Sequence, residues 1–159
     1  MDFEIIKPTF AFARPKAFFA RTSCGDNDEI NYCTQVLKRA ARNQTRLHLC
    51  VTAADNRISG FVALSAARHK AVVDTSCIVI DYLFTNSEYR GVAFEELGNK
   101  RISEYLIDYS IEIAHEMNSN VPFRYLALYP VHEKLSDLYR ALDFKAFDNS
   151  GWLFFKISQ

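Results

Sequence analysis

The sequence predicts a single α/β (α+β) domain over residues 1–159, with a central, mixed, mostly antiparallel twisted sheet and helices on both faces. Three observations predict it. Segments of strand and helix character follow one another as β-α-β-β-β-α-β-α-β-β, so an antiparallel front half joins a β-loop-α-β unit. One run, Cys77 to Thr85 (CIVIDYLFT), is apolar at both alternating sets of positions and reads as a central strand covered on both sides. Elsewhere apolar residues recur at helical spacing, the stripe a helix lays on a sheet.

The elements follow in order. Phe3 to Lys7 is a short strand, and Cys24-Gly25-Asp26-Asn27-Asp28 is a turn able to cap a helix. Ile30, Cys33, Val36, Leu37 and Ala40 place that helix over about 28–42. From Arg46 to Ala53, Leu47, Leu49 and Val51 alternate with His48, Cys50 and Thr52. After the turn Ala54-Asp55-Asn56-Arg57 a second strand, Ile58 to Ser65, closes a hairpin. A looser stretch, Ala66 to Asp74, leads into the central strand, and a polar loop containing Gly91 and Gly98 leaves it. Ile102, Tyr105, Leu106, Tyr109, Ile113 and Met117 trace the stripe of the next helix. Phe123 to Leu128 is a strand, Leu135 to Leu142 a helix, and Lys145–Phe147 with Trp152–Ser158 a hairpin around Asp148-Asn149-Ser150-Gly151.

Composition narrows the function. With 159 residues, 49% hydrophobic and 24% charged, the chain can bury a core without disulfides or metal. Its 19 basic and 19 acidic residues balance, whereas a protein that neutralises many phosphates usually carries a basic excess. The basic run Lys38 to Arg42 lies on a helix end, where cations complement the dipole. MDFEIIKPTF has an early acidic residue and no apolar core segment, so a signal peptide is not expected; no window is long and apolar enough for a membrane span. Cys24, Cys33, Cys50 and Cys77 show no CxxC spacing, which points to reduced thiols and a cytoplasmic setting. The four histidines have no metal-ligand spacing, so no metal is expected.

Three strings, in this order, resemble the Gcn5-related N-acetyltransferase (GNAT) superfamily from about Ile58 to Ile157. Ile58 to Ser65 (ISGFVALS) resembles the family's xxGyxxL strand, Ile80 to Gly91 (IDYLFTNSEYRG) its xxLxVxPxyRG strand and loop, and Leu138 to Phe144 (LYRALDF) its closing FYxxxGF motif. The resemblance implies acetyl-CoA as donor. Pantetheine would lie along the main chain of Leu83, Phe84 and Thr85 like an added strand, and the pyrophosphate in a cradle that includes Arg90, Gly91, Val92 and Ala93. Here the chain departs from the family. Arg101-Ile102-Ser103 stands where a Gly-x-Gly belongs, and the loop is longer by several residues. Asn99, Lys100, Arg101 and Ser103 are then candidates to meet phosphates with side chains; the alternative for Lys100 and Arg101 is a solvated surface.

The resemblance also implies catalytic residues. Tyr139 takes the place of the family tyrosine that protonates the leaving thiolate, work suited to a phenol of pKa about 10; the alternative is a core aromatic four residues after Leu135. Asp81 interrupts an apolar strand and is the candidate base, against a salt-bridged or partly exposed strand carboxylate. Glu95, Glu96 or a water relay are the other options. His132 stands where the family often has a CoA-contacting Asn.

The expected activity is direct transfer of acetyl from acetyl-CoA to an amine within a ternary complex. Phe19 to Tyr32 (FARTSCGDNDEINY) is also similar to toxin-type GNAT proteins, which implies an aminoacyl-tRNA acceptor and an antitoxin partner. The alternative from another class is a non-catalytic module that binds acyl-CoA or a protein. Trp152, Phe154 and Phe155 on the last strand suggest either a homodimer edge or completion of the core.

Overall fold

The computed structural model describes residues 2–7, 14–69, 75–131 and 133–157. Strand β1 (Phe3–Ile6) is followed by the short α1 (Pro15–Phe19), the long α2 (Asn27–Ala41), and strands β2 (Arg46–Thr52), β3 (Ile58–His69) and β4 (Thr75–Thr85). A small ribbon of β5 (Ala93–Phe94) and β6 (Lys100–Arg101) leads into α3 (Ile102–Asn120), and then come β7 (Tyr125–Leu128), α4 (Glu133–Ala141) and β8 (Leu153–Lys156). Six strands form one sheet in the order β1-β2-β3-β4-β7-β8. The pairs β1–β2, β2–β3 and β7–β8 are antiparallel and β4–β7 is parallel, which makes the mixed, mostly antiparallel sheet that the sequence predicts.

Local chemistry accounts for the helix ends. Pro15 sits in the first turn of α1, where its missing N–H costs nothing. Asp26 caps α2 by accepting from the N–H of Glu29 at 2.9 Å. At the other end the chain turns through left-handed Asn43 (φ 58°), with Gln44 N–H bonded to the Arg39 carbonyl and Asn43 N–H to that of Ala40.

The chain divides into two compact units, residues 1–64 with 82–108 and residues 65–81 with 109–159. In the first, Phe18 of α1 and Cys33, Val36 and Leu37 of α2 pack on Leu47, Leu49, Phe61, Ala63 and Phe84. The rings of Phe18, Phe61 and Phe84 lie 5.4 to 5.9 Å apart by centroid. In the second, Cys77 and Val79 meet Ala127 and Phe154, flanked by Tyr125 and Trp152.

Several sequence expectations shift. α1 falls in a stretch given no element. β3 runs on to His69 through residues read as loose, because sheet pairing overrides the weak strand preference of alanine. Ile30 is exposed on α2, and on α3 the buried line is Ile102, Leu106, Ile107, Ser110 and Ala114, with Met117 left exposed. The expected strand at 145–147 reduces to one bridge, Lys145 to Phe154. Of the terminal aromatics, Phe154 is buried, Phe155 packs on Phe144 and Trp152 on Tyr129. No helix among the described residues is long and apolar enough to cross a membrane.

Candidate functional site

The first part of the site is the end of β4 and the loop that leaves it. The ladder with β7 covers Cys77 to Ile80, paired with Tyr125 to Leu128, while β4 continues to Thr85. Among the described residues no strand extends that ladder beside Tyr82 to Thr85. On the β3 side Gly60 makes room. A Cβ there would lie 2.5 Å from the Phe84 carbonyl oxygen and 2.9 Å from Ile102 Cγ2, so only glycine lets β3 approach both Phe84 and α3 this closely. Leu83 and Thr85 are half-buried, and Phe84 belongs to the aromatic core.

Asn86 ends the strand. It is fully buried, its amide donates to the Ile58 carbonyl at 3.0 Å, its side-chain oxygen accepts from Glu88 N–H at 3.0 Å, and its own N–H donates to the Ser59 carbonyl. Ser59 is the extra residue of a β-bulge: Cys50 faces Gly60 and Val51 faces Ile58. The sequence did not single out Asn86, and only its place after an apolar strand hinted at a turn.

Beyond it, Arg90 to Ala93 run exposed through Gly91 (φ 74°). The residues that lengthen the loop form a ribbon, with Ala93 facing Arg101 and Phe94 facing Lys100. Left-handed Gly98 and Asn99 (φ 71° and 62°) close it. Ile102, where the family pattern places a residue between glycines, is buried and begins α3, and Ser103 follows half-buried in its first turn. Lys100 pairs with Asp108 and Arg101 with Glu104, the latter at 2.8 Å. Glu104 also accepts from the Arg101 N–H, and the Arg101 guanidinium holds its carboxyl below the usual range. Arg90 turns its side chain back, with Nε and Nη2 both donating to the Thr85 carbonyl and Nη2 to Glu29.

The other candidate residues include those of α4. Tyr139 is 6% exposed and burial pushes its phenol up to about 12, so it stays protonated across the physiological range. Its carbonyl accepts from the N–H groups of Leu142 and Phe144, and Asp143 N–H bonds to the Arg140 carbonyl. Asp143 is left-handed (φ 71°), and the Tyr139 and Phe144 rings meet edge to face at 6.0 Å. This is a Schellman cap: its left-handed residue stands where the family motif has glycine, and its apolar contact joins the motif's two aromatics. Asp81 is half-buried in β4, Glu95 and Glu96 are exposed, and His132 lies outside the described residues. Among the described residues no group of three His, Cys, Asp or Glu is placed to hold a metal.

No family model matches the chain, and no curated protein matches it by sequence. Solved structures match its fold over nearly its whole length, and that fold is the GNAT fold. Toxins are among the similar structures. A tyrosine-to-phenylalanine variant of the toxin AtaT bound to the C-terminus of the antitoxin AtaR and acetyl-CoA aligns with TM-score 0.77 at 14% identity, covering 99% of this chain and 94% of that one. AtaT complexed with acetyl-methionyl-tRNAfMet aligns with TM-score 0.73 at 16% identity over 98% and 95%. The KacTA–DNA complex gives 0.79 at 18% over 98% and 94%.

Proposed function

We propose that the chain is an acetyl-CoA-dependent N-acetyltransferase. The observation that carries the proposal is the free run of β4 past its ladder with β7 to Thr85, ending in a built loop, within a GNAT fold. Leu83, Phe84 and Thr85 offer main chain to pantetheine, with His132 as a further contact to the arm. The main chain of Arg90, Gly91, Val92 and Ala93, with Asn99 and Ser103, forms the phosphate cradle, to which Lys100 and Arg101 bring charge. The amine attacks the thioester carbonyl and the C–S bond breaks. Tyr139 gives its proton to the departing thiolate, and the amine's proton passes to Asp81 or to water. Four cysteines that form no disulfide support a reducing, cytoplasmic setting.

The acceptor we favour within this reading is the amino group of an aminoacyl-tRNA, with an antitoxin as partner. The supporting observation is that the similar structures include AtaT with acetyl-methionyl-tRNAfMet and with AtaR. The balanced charge of this chain weighs towards a small or peptide amine instead, and acetylation of free amines but not of charged tRNA would select that class.

Saturating acetyl-CoA should raise the melting temperature by about 8 °C, as a ligand at a hundred times its Kd adds about 2.7 kcal/mol. No shift would remove the donor. Tyr139→Phe should keep the shift while lowering turnover about a hundredfold; unchanged turnover would take Tyr139 out of the mechanism, and binding without turnover on any amine would leave a non-catalytic module. Whether the protein dimerises is decided by its mass in solution.

A further inference from the structure

We infer that Glu29 is a positioning residue for the donor site: through Arg90 it sets the Thr85 carbonyl and the turn that follows, without touching the donor. The inference rests on the reading of residues 83–103 as that site. Every donor–acceptor pair needed for it is in place. Arg90 Nε and Nη2 donate to the Thr85 carbonyl at 3.1 and 3.0 Å, and Nη2 also reaches Glu29 Oε1. Glu29 Oε2 accepts from Gly25 N–H at 2.9 Å, and Glu29 N–H donates to the capping Asp26. Both carboxylate oxygens are therefore used inside the protein. The Glu29 side chain is 17% exposed against 42% for Arg90, so the pair is anchored at its acidic end.

Gly25 closes the arrangement. A Cβ at that position would stand 2.8 Å from Arg90 Nη1 and 2.9 Å from Glu29 Oε2, so any side chain there would displace the end of one or both. A guanidinium whose charge faces a carboxylate and whose N–H groups hold a carbonyl has little left for a phosphate. Arg90 thus contributes rigidity to the loop rather than charge to the ligand. A carbonyl held by two N–H groups has a fixed orientation, and it belongs to one of the residues assigned to pantetheine.

A second, separate tie makes the idea testable without unfolding the protein. Ser87 N–H donates to the Ser23 carbonyl at 2.8 Å, the two serine hydroxyls lie 2.7 Å apart, and Thr22 donates to the Ile58 carbonyl at 3.0 Å. Loss of Glu29 leaves these in place, so the loop should loosen locally while the fold holds.

The test compares wild type, Glu29→Gln, Arg90→Gln and the double variant by binding of acetyl-CoA and of acetyl-pantetheine, which lacks the nucleotide phosphates. Each single variant should weaken both ligands about tenfold, and the double variant should be no worse than either, as for residues that act as a unit. If Arg90→Gln weakens acetyl-CoA alone and Glu29→Gln weakens neither ligand, Arg90 is a phosphate ligand and the inference is overturned. Hydrogen exchange without ligand is the separate readout. Amides of residues 86–92 should exchange about tenfold faster in Glu29→Gln at an unchanged melting temperature, and unchanged exchange would overturn the inference whatever the ligand result. Wild type that binds neither ligand would sink the donor-site reading while the exchange result still decides the role of Glu29.

Discussion

The turn that closes α4 and the loop that leaves β4 both end an element, and they do so by opposite means. In the α4 turn every hydrogen bond spans five residues or fewer, from Tyr139 to Phe144. In the β4 loop the deciding partners are far away in sequence. Arg90 meets Glu29 across 61 residues, Ser87 meets Ser23 across 64, and Asn86 meets Ile58 across 28. A local turn needs only the right residues at the right offsets. A long-range one exists only once β3 and α2 are in place, so it should respond to changes outside the loop.

The largest expected effect tests that dependence. Gly60→Ala pushes a methyl against the Phe84 carbonyl oxygen, Ile102 Cγ2 and Leu106 Cδ1, and backbone is the least able of these to move. We expect a loss of roughly 3 kcal/mol, at the upper end for overpacking, measured by urea unfolding. A loss under about 1 kcal/mol would mean that β3 does not hold the β4 end as closely as described.

A smaller effect comes from His48 on β2. It is 4% exposed, and burial, helped by the charges of Lys7 and Arg46, lowers its pKa from 6.5 to about 4. The folded value lies below the unfolded one, so the unfolded chain binds more protons between the two. Stability is therefore full above about pH 6.5 and falls as pH drops towards 4. The expected loss is roughly 2 kcal/mol between pH 7 and pH 4.5. His48→Gln should flatten this part of the profile, and an identical slope in the variant would exclude the imidazole as its source.

The same contrast sets what the sequence could tell. The sheet and its three longer helices were legible because CIVIDYLFT, the Leu47-Leu49-Val51 alternation and the helical stripes are local patterns. The turn at 24–28 was legible as a helix cap for the same reason, and Asp26 with Glu29 three residues later has the spacing of a capping pattern. What that pattern could not say is that the Glu29 side chain turns to Arg90, since nothing near either residue marks the other. Nor could spacing show that the residues lengthening the loop fold into the β5–β6 ribbon, or that Lys100 and Arg101 pair with Asp108 and Glu104. Those outcomes depend on where α3 begins, and Ile102 is drawn into the core by the space Gly60 leaves.

The smallest expected effect sharpens the local side of the comparison. Asp143 holds the left-handed position of the α4 cap, a conformation aspartate tolerates and glycine adopts at no steric cost. Asp143→Gly should therefore stabilise by a few tenths of a kcal/mol up to about 1, part of the relief being offset by the freer unfolded chain. Asp143→Ala should lose about 1 kcal/mol, because alanine keeps the Cβ that disfavours this φ but lacks the side-chain oxygen that can offset it with a local bond. The measurement is the urea midpoint of both variants at constant slope. If glycine destabilised as much as alanine, the Asp143 carboxylate rather than the backbone would be setting the cap. The FYxxxGF spacing would then lose its physical basis in this chain. If glycine stabilises and donor binding is unchanged, the Tyr139–Phe144 contact is a product of the cap, and Tyr139 is held in place by five residues of its own sequence.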